Sequence, residues 1–229
     1  MSGERRNIQA LLFDFDGVIV ESEGPAYQSW REVYAEHGHE LPISDWAGAL
    51  GTLHGFDPVA HLEGLMGAEL HGADDIRKRR RLRKHQLVAA TGFRAGVERY
   101  LDDARDLGLK VAIVTSDSTE WIEWNLERLD RSAGWDCINC ADGDVKKAKP
   151  DPHLYRAALA HLEIDATQAI AIEDSPNGIK AAKAAGLFCV VTLNEVTAQL
   201  DLSAGDLILE SLDEIPLKDL LRSIETSEP

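Results

Sequence analysis

Short apolar runs and helical stripes alternate along the second half of this chain. Residues 110–114, 169–172 and 187–191 are unbroken apolar or nearly apolar segments. Runs this short, bounded by turn residues, predict buried strands. Between them the period changes. Val97, Tyr100, Leu101, Ala104 and Leu107 share one helical face, closed by Gly108. Residues 176–185 predict a helix with Ser175 as N-cap, Pro176 as first helical residue and Gly186 as C-cap. Asp151-Pro152 repeats that opening before a helix over 153–162. Strands alternating with helices imply a mainly parallel sheet covered on both faces.

The first half reads differently. Ala10-Leu-Leu-Phe is a buried strand that runs into Asp14-Phe-Asp16-Gly17. After Ser22 the pattern becomes helical, with Tyr27, Trp30, Val33 and Tyr34 on one stripe, and no buried strand is evident up to about residue 90. The expected organisation is an α/β fold, a Rossmann-like core with an inserted α-helical cap. Residues 1–21 and 91–229 form the core and 22–90 the cap. Residues 206–212 close the chain as a short strand leading into a helix.

Composition narrows the function classes. The chain has 229 residues, 44% of them hydrophobic, enough for a sizeable core. Forty acidic against 24 basic side chains give a formal charge of -16. So acidic a surface disfavours nucleic acid and anionic membranes as partners. The exception is the basic run from Arg77 to Lys84, either a solvated helix face or a surface turned partly towards an anionic ligand. No stretch is long enough to span a membrane, and the charged N-terminus makes a poor signal peptide. A cytoplasmic monomer is expected. Three cysteines, Cys137, Cys140 and Cys189, cannot all pair. The lone C-x-x-C reads as two buried small residues rather than a zinc or redox site.

In parallel sheets, ligands bind beyond the carboxyl ends of the strands. Four polar groups fall at those ends here. Asp14 and Asp16 end the first strand, and on an extended chain they share one side. Buried carboxylates need a compensating charge. Thr115 and Ser116 end the strand over 110–114, where hydroxyls and free N–H groups suit a phosphate. Lys149, between Lys147 and Pro150, offers a point positive charge to a phosphoryl group. Glu173 and Asp174 end the strand over 169–172. Carboxylates from two strand ends make a hard-oxygen site of the kind Mg²⁺ accepts.

Together these pieces resemble the haloacid dehalogenase superfamily, in its branch of β-phosphoglucomutases and phosphoglycolate-type phosphatases. The motifs that carry the resemblance are Asp14-Phe-Asp16-Gly-Val-Ile-Val-Glu-Ser22, Thr115-Ser116, Lys149-Pro150 and Glu173-Asp174-Ser175-Pro-Asn-Gly178, in the family's order. Gly96-Val97 also fits, although Ala95 replaces a usual proline. The resemblance implies that Asp14 is a nucleophile forming an aspartyl-phosphate and Asp16 a general acid and base. It implies Mg²⁺ held by Asp14, the Asp16 carbonyl and Asp174, with Glu173 direct or through water. Thr115, Ser116 and Lys149 would bind the transferring phosphoryl group of a small phosphorylated metabolite. The expected activity is hydrolysis of a phosphate monoester. A sugar-phosphate mutase is the alternative, and a non-catalytic regulatory protein a third reading. Ala26 stands where the mutases carry a His, and His54 near their cap-loop Arg. Both departures favour hydrolysis.

Overall fold

The computed structural model describes residues 7–46, 50 and 56–226. Six parallel strands form one sheet among these residues: β1 (Ala10–Phe13), β2 (Lys110–Thr115), β3 (Cys137–Cys140), β4 (Ala169–Glu173), β5 (Phe188–Thr192) and β6 (Leu207–Leu209). Their order is β3-β2-β1-β4-β5-β6. The chain builds outwards from β1 to β3, then returns to lay β4 on the other side of β1. That reversal opens a crevice at the carboxyl ends of β1 and β4.

Alternation along each strand sorts side chains to two faces. Leu11, Phe13, Val111, Ile113, Ile170 and Ile172 pack on one side. They meet α5 (Val97–Asp106), α6 (Thr119–Arg128) and α9 (Leu217–Thr226) through Tyr100, Ile122 and Leu220. The other face is lined by smaller side chains, Ala10, Ala112, Ala169, Ala171 and Cys189. Tyr155 and Leu159 of α7 (His153–Leu162), with Ile179 and Ala182 of α8 (Pro176–Ala184), fill the space this leaves. Asp14 continues the parity of Ala10 and Leu12, and Glu173 that of Ala169 and Ala171. The period of two therefore directs both carboxylates towards α7 and α8.

Between β1 and β2 the chain inserts α1 (Glu23–Glu36), α2 (Ile43–Trp46), α3 (Pro58–Met66) and α4 (Ala73–Ala89). The insert has its own apolar cluster around Trp30, Val33, Tyr34, Leu62 and Ile76. The fold is thus a Rossmann-like parallel sheet with an inserted helical cap. The two connections between cap and sheet lie side by side: Val20 and Phe93 form an antiparallel bridge, and the Arg94 N–H donates to the Ile19 carbonyl at 2.9 Å. No helix among the described residues is long and apolar enough to cross a membrane.

Several expectations need adjustment. β1 stops at Phe13, and the chain turns at once, with the Ile19 N–H donating to the Phe15 carbonyl at 2.8 Å. Asp14 and Asp16 therefore find different partners instead of sharing one side of a strand. Pro152, not Asp151, is the N-cap of α7; Asp151 instead accepts the His153 N–H at 2.8 Å. All three cysteines are free, but Cys140 is only partly buried. In a strand, positions three apart face opposite sides, so Cys137 and Cys140 cannot chelate together. Most of the basic run is a solvated, acid-paired face: Arg83 grips Glu32 at 2.8 and 3.0 Å, and Arg79 reaches Glu36 at 2.5 Å. Lys84, at its end, turns inwards.

Candidate active site

The register sets the first part of the site. Phe13 lies opposite Ile172 across β1 and β4, so Asp14 follows beside Glu173, and the Asp14 N–H donates to the Ile172 carbonyl at 2.9 Å. Lys149 comes in from the loop after β3, its N–H donating to Ser116 Oγ at 3.1 Å. Its buried ammonium lies 2.7 Å from Asp14 Oδ1 and 2.7 Å from Glu173 Oε1. The Tyr155 hydroxyl also donates to Glu173 Oε1, at 2.5 Å. Asp174 Oδ2 accepts from Asn194 Nδ2 at 2.7 Å.

Two glycines make room for these carboxylates. Gly17 sits at φ +72°, and a Cβ there would lie 2.0 Å from Asp174 Oδ2. A Cβ on Gly178, in the first turn of α8, would lie 1.9 Å from Glu173 Oε2. Ser175 caps that helix by accepting the Gly178 N–H at 3.2 Å, which fixes the turn carrying Glu173 and Asp174.

The charge balance is unfavourable as it stands. Burial, then Glu173, pushes the Asp14 carboxyl well above the usual range, and Lys149 offsets only part of this. Asp174 is raised in the same way by burial, Glu23 and Asp14. Burial alone would lower the Lys149 ammonium, but Asp14 and Glu173 overcome it and hold the group above the ordinary lysine range. Lys149 thus pairs with two of the three buried carboxylates, Asp14 and Glu173, and Asp174 has no cation beside it among the described residues. Asp174 Oδ1 and Glu173 Oε2 are buried without a hydrogen-bond partner. One oxygen from each of Asp14, Glu173 and Asp174 can lie within 4.8 Å of the other two. A compact set of hard oxygen donors with surplus negative charge fits a divalent cation such as Mg²⁺.

Asp16 belongs to a second cluster. Its Oδ1 accepts from Ser22 Oγ at 2.5 Å and from the Trp121 indole N–H at 3.0 Å. Lys84 Nζ, from the cap, lies 3.6 Å from the same oxygen and 3.7 Å from Asp117 Oδ2. Glu23, at the start of α1, is pushed up to about 7 by burial and then by Asp16. Asp16 does not contribute its carboxylate to the three-acid cluster.

A family model for haloacid dehalogenase-like hydrolases matches residues 8–186, a span that takes in Asp14, Asp16, Lys149, Glu173 and Asp174 but not Asn194. The chain belongs to that family. Relatives agree over nearly the full length. The Bacillus subtilis (strain 168) protein YhcW, provisionally named a phosphatase, is 39% identical over 93% of this chain and 96% of its own. Validoxylamine A 7'-phosphate phosphatase of Streptomyces hygroscopicus subsp. limoneus is 30% identical over 90% of this chain and 95% of its own. Among solved structures, a mutant CbbY from Rhodobacter sphaeroides in complex with xylulose-(1,5)bisphosphate superposes with a TM-score of 0.74. It is 28% identical and covers 90% of this chain and 96% of that one.

Asp14, Lys149, Glu173 and Asp174 thus come together around the crevice of this haloacid dehalogenase-like hydrolase. Thr115 and Ser116 lie buried at the end of β2, where Thr115 Oγ1 accepts the Asp117 N–H at 3.0 Å. Sequence reading missed Tyr155, Asn194 and Trp121 as members of the site. Tyr155 and Trp121 sit on apolar helical stripes, which hide a polar tip. Asn194 lies two residues beyond the end of β5, so the strand-end rule that found the others also points to it.

Proposed function

We propose that this chain is a Mg²⁺-dependent phosphatase of the β-phosphoglucomutase and phosphoglycolate phosphatase branch, acting on a small phosphate monoester. The observation that carries the reading is the separation of the two aspartates. Asp14 lies among buried charges, while Asp16 is held apart among hydrogen-bond donors. The names of the relatives support phosphate chemistry, and the acidic surface leaves Lys149 as the buried cation beside the nucleophile.

Asp14 attacks the phosphorus and forms an aspartyl-phosphate, dividing one difficult step into two. Asp16 protonates the leaving alcohol, then takes a proton from the attacking water. Thr115, the Ser116 N–H and Lys149 bind the equatorial oxygens as charge spreads over them. Asp14, Asp174 and the Asp16 carbonyl would hold Mg²⁺, with Glu173 direct or through water. When bound, the metal neutralises phosphoryl charge and lets an anionic nucleophile approach. The cap covers the crevice and selects the leaving group.

Water rather than a second sugar is the acceptor in this reading. Ala26 is buried, its carbonyl accepts from Arg80 at 3.3 Å, and it has no side chain to serve as the mutases' His does. His54, near the position of their cap-loop Arg, lies outside the described residues. The test is a screen of phosphate esters with Mg²⁺, with Asp14→Asn as control and β-glucose 1-phosphate included with a glucose 6-phosphate readout. Phosphate release without isomerisation is expected. Isomerisation would replace the phosphatase by the mutase, and no turnover on any ester would favour a non-catalytic protein.

A further inference from the structure

Trp121 lies in the first turn of α6, where Ser118 Oγ accepts its backbone N–H at 3.3 Å. Its ring is buried and fixed on several sides. Trp124 stacks on it with centroids 5.3 Å apart and planes at 22°, and His85 of α4 meets it edge-on at 4.8 Å. Lys84 Nζ lies 4.2 Å above the ring. The indole therefore has little freedom to turn. Its one polar atom, Nε1, is directed at the Asp16 carboxylate, 3.0 Å from Oδ1 and 3.2 Å from Oδ2.

An indole N–H donates but cannot accept, and it does not titrate near neutral pH. It can orient a carboxylate without competing for the proton that the carboxylate carries. With the Ser22 hydroxyl also on Oδ1, Oδ2 is the less encumbered oxygen. We propose that Trp121 is a positioning residue for proton transfer by Asp16: its N–H, shared by both oxygens, fixes the plane of the carboxylate, so that Oδ2, which Ser22 does not contact, is presented to the leaving oxygen. The inference rests on the phosphatase reading above. In the step concerned, the Asp14–phosphorus bond forms and the ester P–O bond breaks. The electron pair of the broken bond stays on the ester oxygen, which takes the proton from Asp16 Oδ2. In the second step, water bonds to phosphorus, gives its proton back to Asp16, and the pair of the Asp14–phosphorus bond returns to Asp14.

The experiment uses Trp121→Phe in the full chain with Mg²⁺. Phenylalanine keeps an aromatic ring in the stack and removes the N–H. The readout is kcat/KM on two esters, an alkyl phosphate that the wild type turns over and 4-nitrophenyl phosphate. An alkoxide leaves poorly without a proton; nitrophenolate leaves readily without one. A fall of roughly 10- to 100-fold on the alkyl ester is expected, with about a threefold fall on the nitrophenyl ester, because an oriented general acid contributes on the order of 10²–10⁴ in rate. Asp16→Asn should show the same asymmetry, enlarged. Equal falls on both esters, or no fall on either, would overturn the inference. Should Trp121→Phe lose its cooperative thermal transition, Ser22→Ala removes the other donor to Oδ1, and a symmetric loss there overturns it equally. A wild type without phosphatase activity removes the phosphatase reading itself, Asp14→Asn with full activity removes the aspartyl-phosphate mechanism, and either takes this inference with it.

Discussion

Asp14 and Asp16 are separated by one residue, yet they sit in two different kinds of surroundings. Around Asp14 everything belongs to the core: Lys149 from the loop after β3, Glu173 from β4 and Tyr155 from α7 are all buried and locked by short contacts. Around Asp16 the partners come from separate parts of the molecule: Ser22 at the entry to the cap, Lys84 within it and Trp121 on the core. The first arrangement suits a nucleophile, which needs a fixed position and a fixed charge. The second suits a proton shuttle, whose surroundings are completed where cap and core meet. Damage to the Asp14 cluster should therefore cost stability and activity together, and damage to the Asp16 cluster mainly activity.

Lys149→Met makes the strongest test of that contrast. It strands Asp14 and Glu173 as buried carboxylates without their cation. Breaking a buried ion pair on one side costs about 3–5 kcal/mol. Urea unfolding in EDTA should show a loss of that order, with activity abolished. A stability change below about 1 kcal/mol would mean that the cluster is not the rigid unit described here.

Lys84→Met is the matching change on the other side. The lysine is partly exposed and lies 3.6 and 3.7 Å from its two carboxylates. Pairs of this kind contribute about 1 kcal/mol or less to stability. The thermal midpoint should barely move while kcat/KM falls on the order of tenfold, through loss of order around Asp16. Equal damage to stability would erase the distinction between the two clusters.

Much of this was legible in the sequence, for a physical reason. A charged residue at the tip of a buried strand needs a partner, so Asp14, Lys149, Glu173 and Asp174 stand out against their apolar neighbours. The helix starts are equally plain where Ser175 and Pro176 do one local job. What stayed hidden was carried by side chains with two characters. Trp121 and Tyr155 satisfy a helical stripe with their rings and the site with one polar atom each. Lys84 is one of several cations on a helix, and only the packing of α4 against α6 separates it from the rest. The turn after Phe13 was also concealed, because two aspartates flanking a phenylalanine fit an extended strand as well as a bend.

A smaller effect probes the rim of the Asp16 cluster. Glu23 has its carboxyl moved from 4.5 to about 7 by burial, then by Asp16. Its folded-state value is raised, so between about pH 4.5 and 7 the unfolded chain binds fewer protons than the folded one. Stability falls as pH rises through that window, and the penalty is complete above it. Glu23→Gln removes the penalty. In EDTA, its thermal midpoint should gain on the wild type at pH 8 and show little or no gain at pH 4.5. An equal gain at both values would show that the carboxyl is not held in this way.

The assignment of Asp14 as nucleophile and Asp16 as proton shuttle is tested most directly by acid-quenched turnover of 4-nitrophenyl phosphate, followed by peptide mass spectrometry. Phosphate should appear on the peptide containing Asp14, accumulate in Asp16→Asn because the second step lacks its base, and be absent from Asp14→Asn. Turnover with no phosphorylated peptide at any time, or with phosphate on a different residue, would contradict it.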